Sequence, residues 1–316
     1  MTWLSDRIHA VPGAILILGY SALNAFKSVF EGAVLVAMSP AFLAVHVFVL
    51  AQATYFLLHR DRQGLFVKAR SAWPLVVGVN ITTALSWLAV LYALNYLEPA
   101  VVNSLVVGCI PLMAIVLAPI LRPQVPVVRS EWLAGGCCAL SVLLLIYTTN
   151  GGWSGLGKIP LEQVLLGVVA AVLTALGVTT NTFVTKSLAE RGFSSADTMA
   201  VRFTLLNVLA AALTTSSVSL TPYTAQVVLS ILAITVFGVF IGVYLLQIGI
   251  AKTEPLTASL LFSTNLAFTC AAQLLDPRLS VSSATLVGVA LLTIFTTYGA
   301  VAASRTRRSL AGQRNA

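Results

Sequence analysis

Charge is what this sequence has least of: only 9% of its 316 residues are Asp, Glu, Lys or Arg. An ordinary soluble domain carries roughly 25%. So few charges cannot cover a water-facing globule of this length, which excludes a soluble enzyme or binding domain. Acids are the scarcer sign, ten against eighteen Lys and Arg, and all of them are expected at or beyond helix ends. Of the three histidines, only His46 falls inside an apolar run. A metal-dependent or proteolytic intramembrane enzyme needs Asp, Glu or His clustered at depth. An intramembrane enzyme acting on a lipid-soluble substrate is therefore the alternative reading and not the leading one. The four cysteines, Cys109, Cys137, Cys138 and Cys270, form no Cys-x-x-Cys pair and have no His nearby. They read as small apolar packing residues, so neither a metal nor another cofactor is expected. No hydrophilic segment is long enough for a signalling domain and nothing resembles a selectivity filter, which argues against a receptor or a channel.

What the sequence has instead is apolar runs. Hydrophobic residues make up 58% of it and its mean hydropathy is +0.95. A bilayer is crossed by about 20 apolar residues in a helix. By that measure the chain reads as an all-α integral membrane protein with ten transmembrane helices, near 12–29, 40–58, 73–95, 99–120, 131–149, 161–184, 196–214, 225–251, 255–275 and 283–303. The first run, Ala14–Leu23 behind Arg7, has no clear small-x-small cleavage site after it and is taken as a span, not a signal peptide.

The net charge of +8 raises the question of nucleic acid, but its distribution answers to the membrane instead. Arg60, Arg62, Lys68 and Arg70 follow span two; Arg122 and Arg129 follow span four; Lys186 and Arg191 follow span six. Lys252 follows span eight, and Arg305, Arg307, Arg308 and Arg314 form the tail. The alternate loops hold chiefly Lys158 and Arg278. Basic loops stay inside, so both termini are expected in the cytoplasm, as an even number of spans requires.

The chain also resembles itself. Asn24, Phe26, Lys27 and Ser28 near the end of span one parallel Asn181, Phe183, Lys186 and Ser187 near the end of span six. Glu98-Pro99 followed by Asn103, Ser104 and Leu105 parallels Glu254-Pro255 followed by Ala258, Ser259 and Leu260. The expected organisation is a repeat over 1–150, a glycine-rich connector over 151–160 and a second repeat over 161–316. Five spans per repeat is odd, so the two are inverted, an arrangement that places a transporter's site between them near the midplane. The connector imitates a phosphate-binding loop in Gly152, Gly157 and Lys158. However, Ile159 stands where Ser or Thr should meet magnesium, and Pro160 follows at once. Nucleotide binding is rejected.

Candidate site residues are the polar groups at depth. His46 and Arg202 lie about two turns into spans two and seven, and either can meet an anionic group of a substrate. His46 can also pass a proton. The bland reading has Arg202 reaching to the interface and His46 donating to a backbone carbonyl. Asn24, Asn80, Trp87, Tyr92, Asn103, Asn181, Tyr244 and Asn265 are candidates for a cavity lining. Each taken singly also reads as interhelical glue. Lys27 and Lys186 at span ends can reach water along their own stems, at least as readily as they can contact a ligand. Pro111 interrupts the hydrogen-bond ladder of span four.

In this layout the chain resembles the drug/metabolite transporter superfamily, in particular its ten-helix members with two EamA-type repeats. The resemblance lies in Gly19–Lys27, in Leu91–Tyr96 leading into span four, in Pro111 within Ile110–Ala114, and in Thr198–Arg202. His46 stands where such proteins often carry Arg, and Leu121–Pro126 replaces their usual Gly-Glu. The resemblance implies a basket of spans one to four and six to nine around a central cavity, with five and ten peripheral. It implies export of amino acids or related metabolites across a bacterial inner membrane, often in exchange for protons. Amides, aromatics and one or two cations without acids suit a zwitterion or a carboxylate. The expected partners are that small molecule, the lipid bilayer and protons as counter-ion, with no nucleic acid; a homodimer is left open.

Overall fold

The computed structural model of the chain describes residues 11–59, 61–121, 127–216, 223–253 and 255–314. Arg7, Arg60, Arg122 and Glu254 lie outside the described residues, as do the side chains of Ala258, Ser259, Leu260, Arg307, Arg308 and Arg314. The described chain is helical throughout, in the order α1 (Gly13–Val34), α2 (Pro40–Leu58), α3 (Arg62–Ser71), α4 (Trp73–Tyr96), α5 (Pro99–Val116), α6 (Ala118–Leu121), α7 (Arg129–Asn150) and α8 (Leu161–Glu190). There follow α9 (Ser195–Val201), α10 (Thr204–Ser216), α11 (Ala225–Ala233), α12 (Tyr244–Lys252), α13 (Pro255–Gln273) and α14 (Ser283–Arg314). A π-helical stretch, Ile234–Val243, joins α11 to α12.

Among the described residues eight helical stretches are long and apolar enough to cross a membrane. They are α1, α2, α4, α5, α7, α8, the pair α9–α10, and the run through α11, the π stretch and α12. The chain is thus an all-helical, multi-pass membrane protein. Inside a bilayer every backbone N–H and C=O must be satisfied internally, which helices do. Local sequence marks where they start. Ser39 caps α2 by accepting from the Phe42 N–H at 3.2 Å, with Pro40 next. Pro99 opens α5. Ser194 and Asp197 form a reciprocal capping box on α9, and Thr224 caps α11.

The principal packing pairs set the frame. α1 lies on α13, α12 and the π stretch; α8 lies on α4 and α5; α2 lies on α10. α7 packs against α5 and α14, and α14 against α13. Small residues allow close approach. A Cβ on Gly177 of α8 would meet the Ser86 backbone of α4 at 2.7 Å, and one on Gly238 would meet the Lys27 stem at 2.5 Å.

Each end of the bundle carries an ionic clamp. At the α3 end, Asp197 takes Lys68 at 3.1 Å and His59 at 3.5 Å, tying α3 and α2 to the start of α9. At the connector end, buried Glu98 accepts from the Gly155 N–H, from Gln273 at 3.0 Å and from Thr285 at 3.4 Å. Beside it Arg278 pairs with Asp276 and donates to the Gly32 carbonyl of α1 at 2.8 Å. In the connector, Gly155 thus serves a carboxylate of the protein itself.

The basic segment after span two contains a short helix, α3, started by Asp61 accepting from the Gly64 N–H at 2.8 Å. One sequence expectation is corrected: span one does not end near 29, since α1 runs to Val34, and its last turn holds the buried Glu31, which is 2% exposed. Its ion pair with Lys27 one turn earlier, at 3.4 Å, compensates its charge inside the helix.

Burial pushes the Glu98 carboxyl above its ordinary range, outweighing the three donors that favour its anion. A proton therefore binds the folded clamp more tightly than the unfolded chain. The stability linked to that proton is full at acid pH and is lost as pH rises through the raised value. In detergent, the melting temperature is expected to rise as pH falls toward the carboxylate range. Glu98→Gln, melted alongside, should flatten that dependence and match the parent at acid pH, whereas Glu98→Ala should melt lower throughout.

Candidate functional site

Arg202 sits where the seventh hydrophobic run breaks. α9 ends at Val201, α10 begins at Thr204, and Arg202 and Phe203 form the turn between them. Asn80 of α4 holds the break open. Its amide donates to the Val201 carbonyl at 2.9 Å and accepts from the Leu205 N–H at 3.0 Å, so it stands in for a helical bond between those two residues. Its second donor takes the Val76 carbonyl at 2.9 Å. Asn80, a candidate for the lining, has its amide spent on backbone and positions Arg202.

The guanidinium so placed is 5% exposed. Nε donates to Thr83 at 3.1 Å, Nη2 to the Asn181 carbonyl oxygen at 2.7 Å, and Nη1 makes a long 3.9 Å contact with the Met199 sulfur. Asn181 in turn donates to Thr82 at 2.9 Å and Thr83 at 3.0 Å, and accepts from Thr185 at 3.3 Å. Tyr20 of α1 and Tyr55 of α2 lie within electrostatic range of the charge. Tyr55 is fixed by donating to the Phe240 carbonyl of the π stretch at 2.8 Å. Among the described residues no carboxylate pairs with Arg202, and two of the five N–H donors of its guanidinium have no acceptor. A buried cation held only by neutral oxygens and a sulfur is short of one anion.

A second cation stands across an aromatic stack. Lys27 is 8% exposed, and its Nζ lies 4.2 Å from the centroid of the Trp87 ring. Trp87 meets Phe48 edge-on at 5.0 Å, Phe48 meets Phe203 at 5.1 Å, and Phe203 lies 5.6 Å from the Arg202 guanidinium carbon. Glu31 neutralises Lys27, so the unbalanced charge of the region is that of Arg202. Lys27 thus does not reach out to the interface, while its counterpart Lys186 is exposed.

The remaining candidates divide. Asn24 donates to Asn265 at 3.3 Å, and Asn103 donates to Thr269 at 2.9 Å, whose hydroxyl returns to the Asn265 carbonyl at 2.7 Å. These groups knit α1 and α5 to α13. Tyr92 and Tyr244 are half-buried. His46 is apart from Arg202 in its contacts. Its Nδ1 donates to the Phe42 carbonyl at 2.8 Å, which makes Nε2 of the neutral ring the acceptor for the Tyr223 hydroxyl at 2.8 Å. Sequence reasoning missed Glu31, Tyr20 and Tyr55. Spacing carried a signal for Glu31, since Lys27 and Glu31 stand four residues apart; nothing in the sequence pointed to the two tyrosines.

Comparison with family models matches none, and comparison with curated proteins finds no match. Nine solved chains match in structure. One, a crystal structure described only as that of a protein, superposes over 94% of this chain and 99% of its own, with a TM-score of 0.65 and 16% identity. The fold is shared over that 94% of the chain. At that identity the likeness concerns architecture alone.

The opposite roles of Arg202 and its acceptor can be separated by stability. Arg202→Met removes an uncompensated charge and should leave the melting temperature in detergent unchanged or raised. Asn181→Leu strands the charge and should lower stability by about 2–3 kcal/mol, read from the same melting curves.

Proposed function

We propose that the chain is a secondary transporter that exports a small amino-acid-like or carboxylated metabolite by alternating access. The observation that carries this reading is Arg202: a buried cation without a carboxylate partner, at a helix break, facing polar groups of α1, α2, α4 and α8. A substrate carboxylate supplies the missing anion, and the guanidinium fork accepts it in two parallel hydrogen bonds. The neutral Lys27–Glu31 pair and the aromatic stack leave room in charge for the ammonium of a zwitterion beside that carboxylate.

The proposed architecture is ten spans in two inverted repeats, α13 and α14 supplying the ninth and tenth. The packing supports it by coming in matched pairs. α1 on α12 and α13 corresponds to α8 on α4 and α5, and α7 on α5 corresponds to α14 on α13. Breaks at α9–α10 and in the π stretch lie in spans seven and eight, around the site, as transporter helices are interrupted where they meet substrate. The proposed location is a bacterial inner membrane with both termini in the cytoplasm, from the positive-inside pattern.

Protons are the proposed counter-ion. His46 is the group the sequence offers for this, and Glu31, salt-bridged to Lys27 beside Trp87, is the one the fold adds.

Counterflow in vesicles of purified protein, screened over labelled amino acids and organic acids, tests the reading. Saturable exchange is expected for a carboxylated compound. Arg202→Met should abolish it. Arg202→Lys keeps the charge without the fork and should lose at least about tenfold. Undiminished exchange in Arg202→Met sinks the proposal for this site. For coupling, pH dependence of exchange should be altered in His46→Gln or Glu31→Gln; if neither shifts it, the transporter is an exchanger without protons.

A further inference from the structure

A second feature of the fold lies on its flank. α2, α3, α4 and the α9–α10 break enclose a groove of about 550 Å³. Its walls include Phe56, Leu65, Phe66, Val77 and Leu205, and its floor reaches Asn80. The polar groups on that floor are turned into one another. Gln52 donates to the Ala200 carbonyl at 3.1 Å and to Thr204 at 2.8 Å, and accepts from Asn207 at 2.8 Å. The Asn80 amide is spent on the backbone. The groove therefore offers chiefly hydrocarbon contact, with the side-chain amides of Gln52 and Asn80 already engaged.

Its mouth is different. The Arg62 guanidinium carbon stands 5.4 Å from the Phe56 ring centroid, and Phe56 meets Phe66 edge-on at 6.5 Å. Arg62 is exposed and spends one donation, on the Leu57 carbonyl at 3.1 Å. Arg70 on the same helix is exposed as well, while Lys68 is committed to Asp197 and the Gly192 carbonyl. Of the acids near the mouth, Asp61 caps α3 and Asp197 is held by Lys68 and His59. Around these groups Phe66 is 67% exposed, Val67 70% and Trp73 64%. A short helix with basic groups and outward apolar and aromatic side chains lies in a membrane interface.

We propose that this groove is a binding site for one anionic phospholipid of the leaflet on which α3 lies. An acyl chain fills the groove down to Asn80, and the headgroup phosphate meets the Arg62 fork, with Arg70 adding to the local positive field. Cations here favour an anionic over a zwitterionic headgroup, and the apolar walls favour a chain over a soluble phosphate. The lipid contacts the residues that hold the α9–α10 break, so its occupancy stabilises the position of Arg202. The site is independent of the transport reading, since it is defined by the groove and its mouth.

Native mass spectrometry of detergent-purified protein tests it. Phosphatidylglycerol, phosphatidylcholine and inorganic phosphate are added separately, and the melting temperature is followed in parallel. One phosphatidylglycerol should be retained in preference to phosphatidylcholine, with a rise in melting temperature. Arg62→Gln, an exposed position that leaves the fold intact, should lower that preference about fivefold, the worth of one basic group near a membrane surface. Val77→Trp, which fills the groove, should lower retention of both lipids. Equal retention of the two lipids overturns the proposal, as does retention unaltered by either substitution. Inorganic phosphate reproducing the thermal shift overturns the acyl-chain site. A dimer that both substitutions dissolve overturns it in favour of a second copy on this face.

Discussion

A guanidinium cannot give up its charge, so a chain that carries one into the middle of an apolar bundle must build its surroundings to suit. Arg202 draws an asparagine and two threonines from α4 and α8 toward one point, and it stands where the seventh span is interrupted. The interruption in turn requires Asn80, whose amide replaces the lost ladder between Val201 and Leu205. The tight pairing of α4 with α8, allowed by Gly177 against Ser86, is what brings these groups within hydrogen-bonding distance. Much of the interior follows from satisfying one charge that has no anion of its own.

The two ends of the molecule handle charge in the opposite way. Glu98 and Asp197 are each surrounded by donors: backbone and neutral side chains for Glu98, Lys68 and His59 for Asp197. They hold segments distant in sequence, joining the connector to α13 and α14 at one end and α3 to α9 at the other. Under the proposed alternating-access reading, one clamp would loosen while the other holds, and both carboxylates would then have a mechanical part.

Hydrocarbon surfaces fall into two kinds as well. Most exposed apolar side chains form the outer wall that a bilayer solvates without specificity. The groove at α3 departs from this by being concave, by having its Gln52 and Asn80 amides engaged within the protein and by having an exposed arginine at its mouth. Concavity and charge together are what distinguish a particular lipid from the surrounding ones.

How much of this was legible in the sequence depended on range. Apolar runs about 20 residues long and Pro99 as a helix start are local, and they marked the long helices. Arg202 and Asn181 were legible as expensive polar residues at depth, because the cost of burial belongs to the residue type. What each amide does was not legible: Asn80 and Asn181 look alike in the sequence, yet one bridges a broken backbone and the other holds the charge. Lys27 and Glu31 were misread through the boundary of α1, since a helix end in an apolar run has no sharp local mark. The helix α3 and the π stretch went unseen because short or unusual helices are settled by the elements packed against them. By itself the sequence determined that the chain is helical, apolar outside and sparing with charge, since these follow from composition and periodicity. Only the tertiary structure decided which polar groups meet, because a hydrogen bond between residues a hundred positions apart depends on packing that no local pattern encodes.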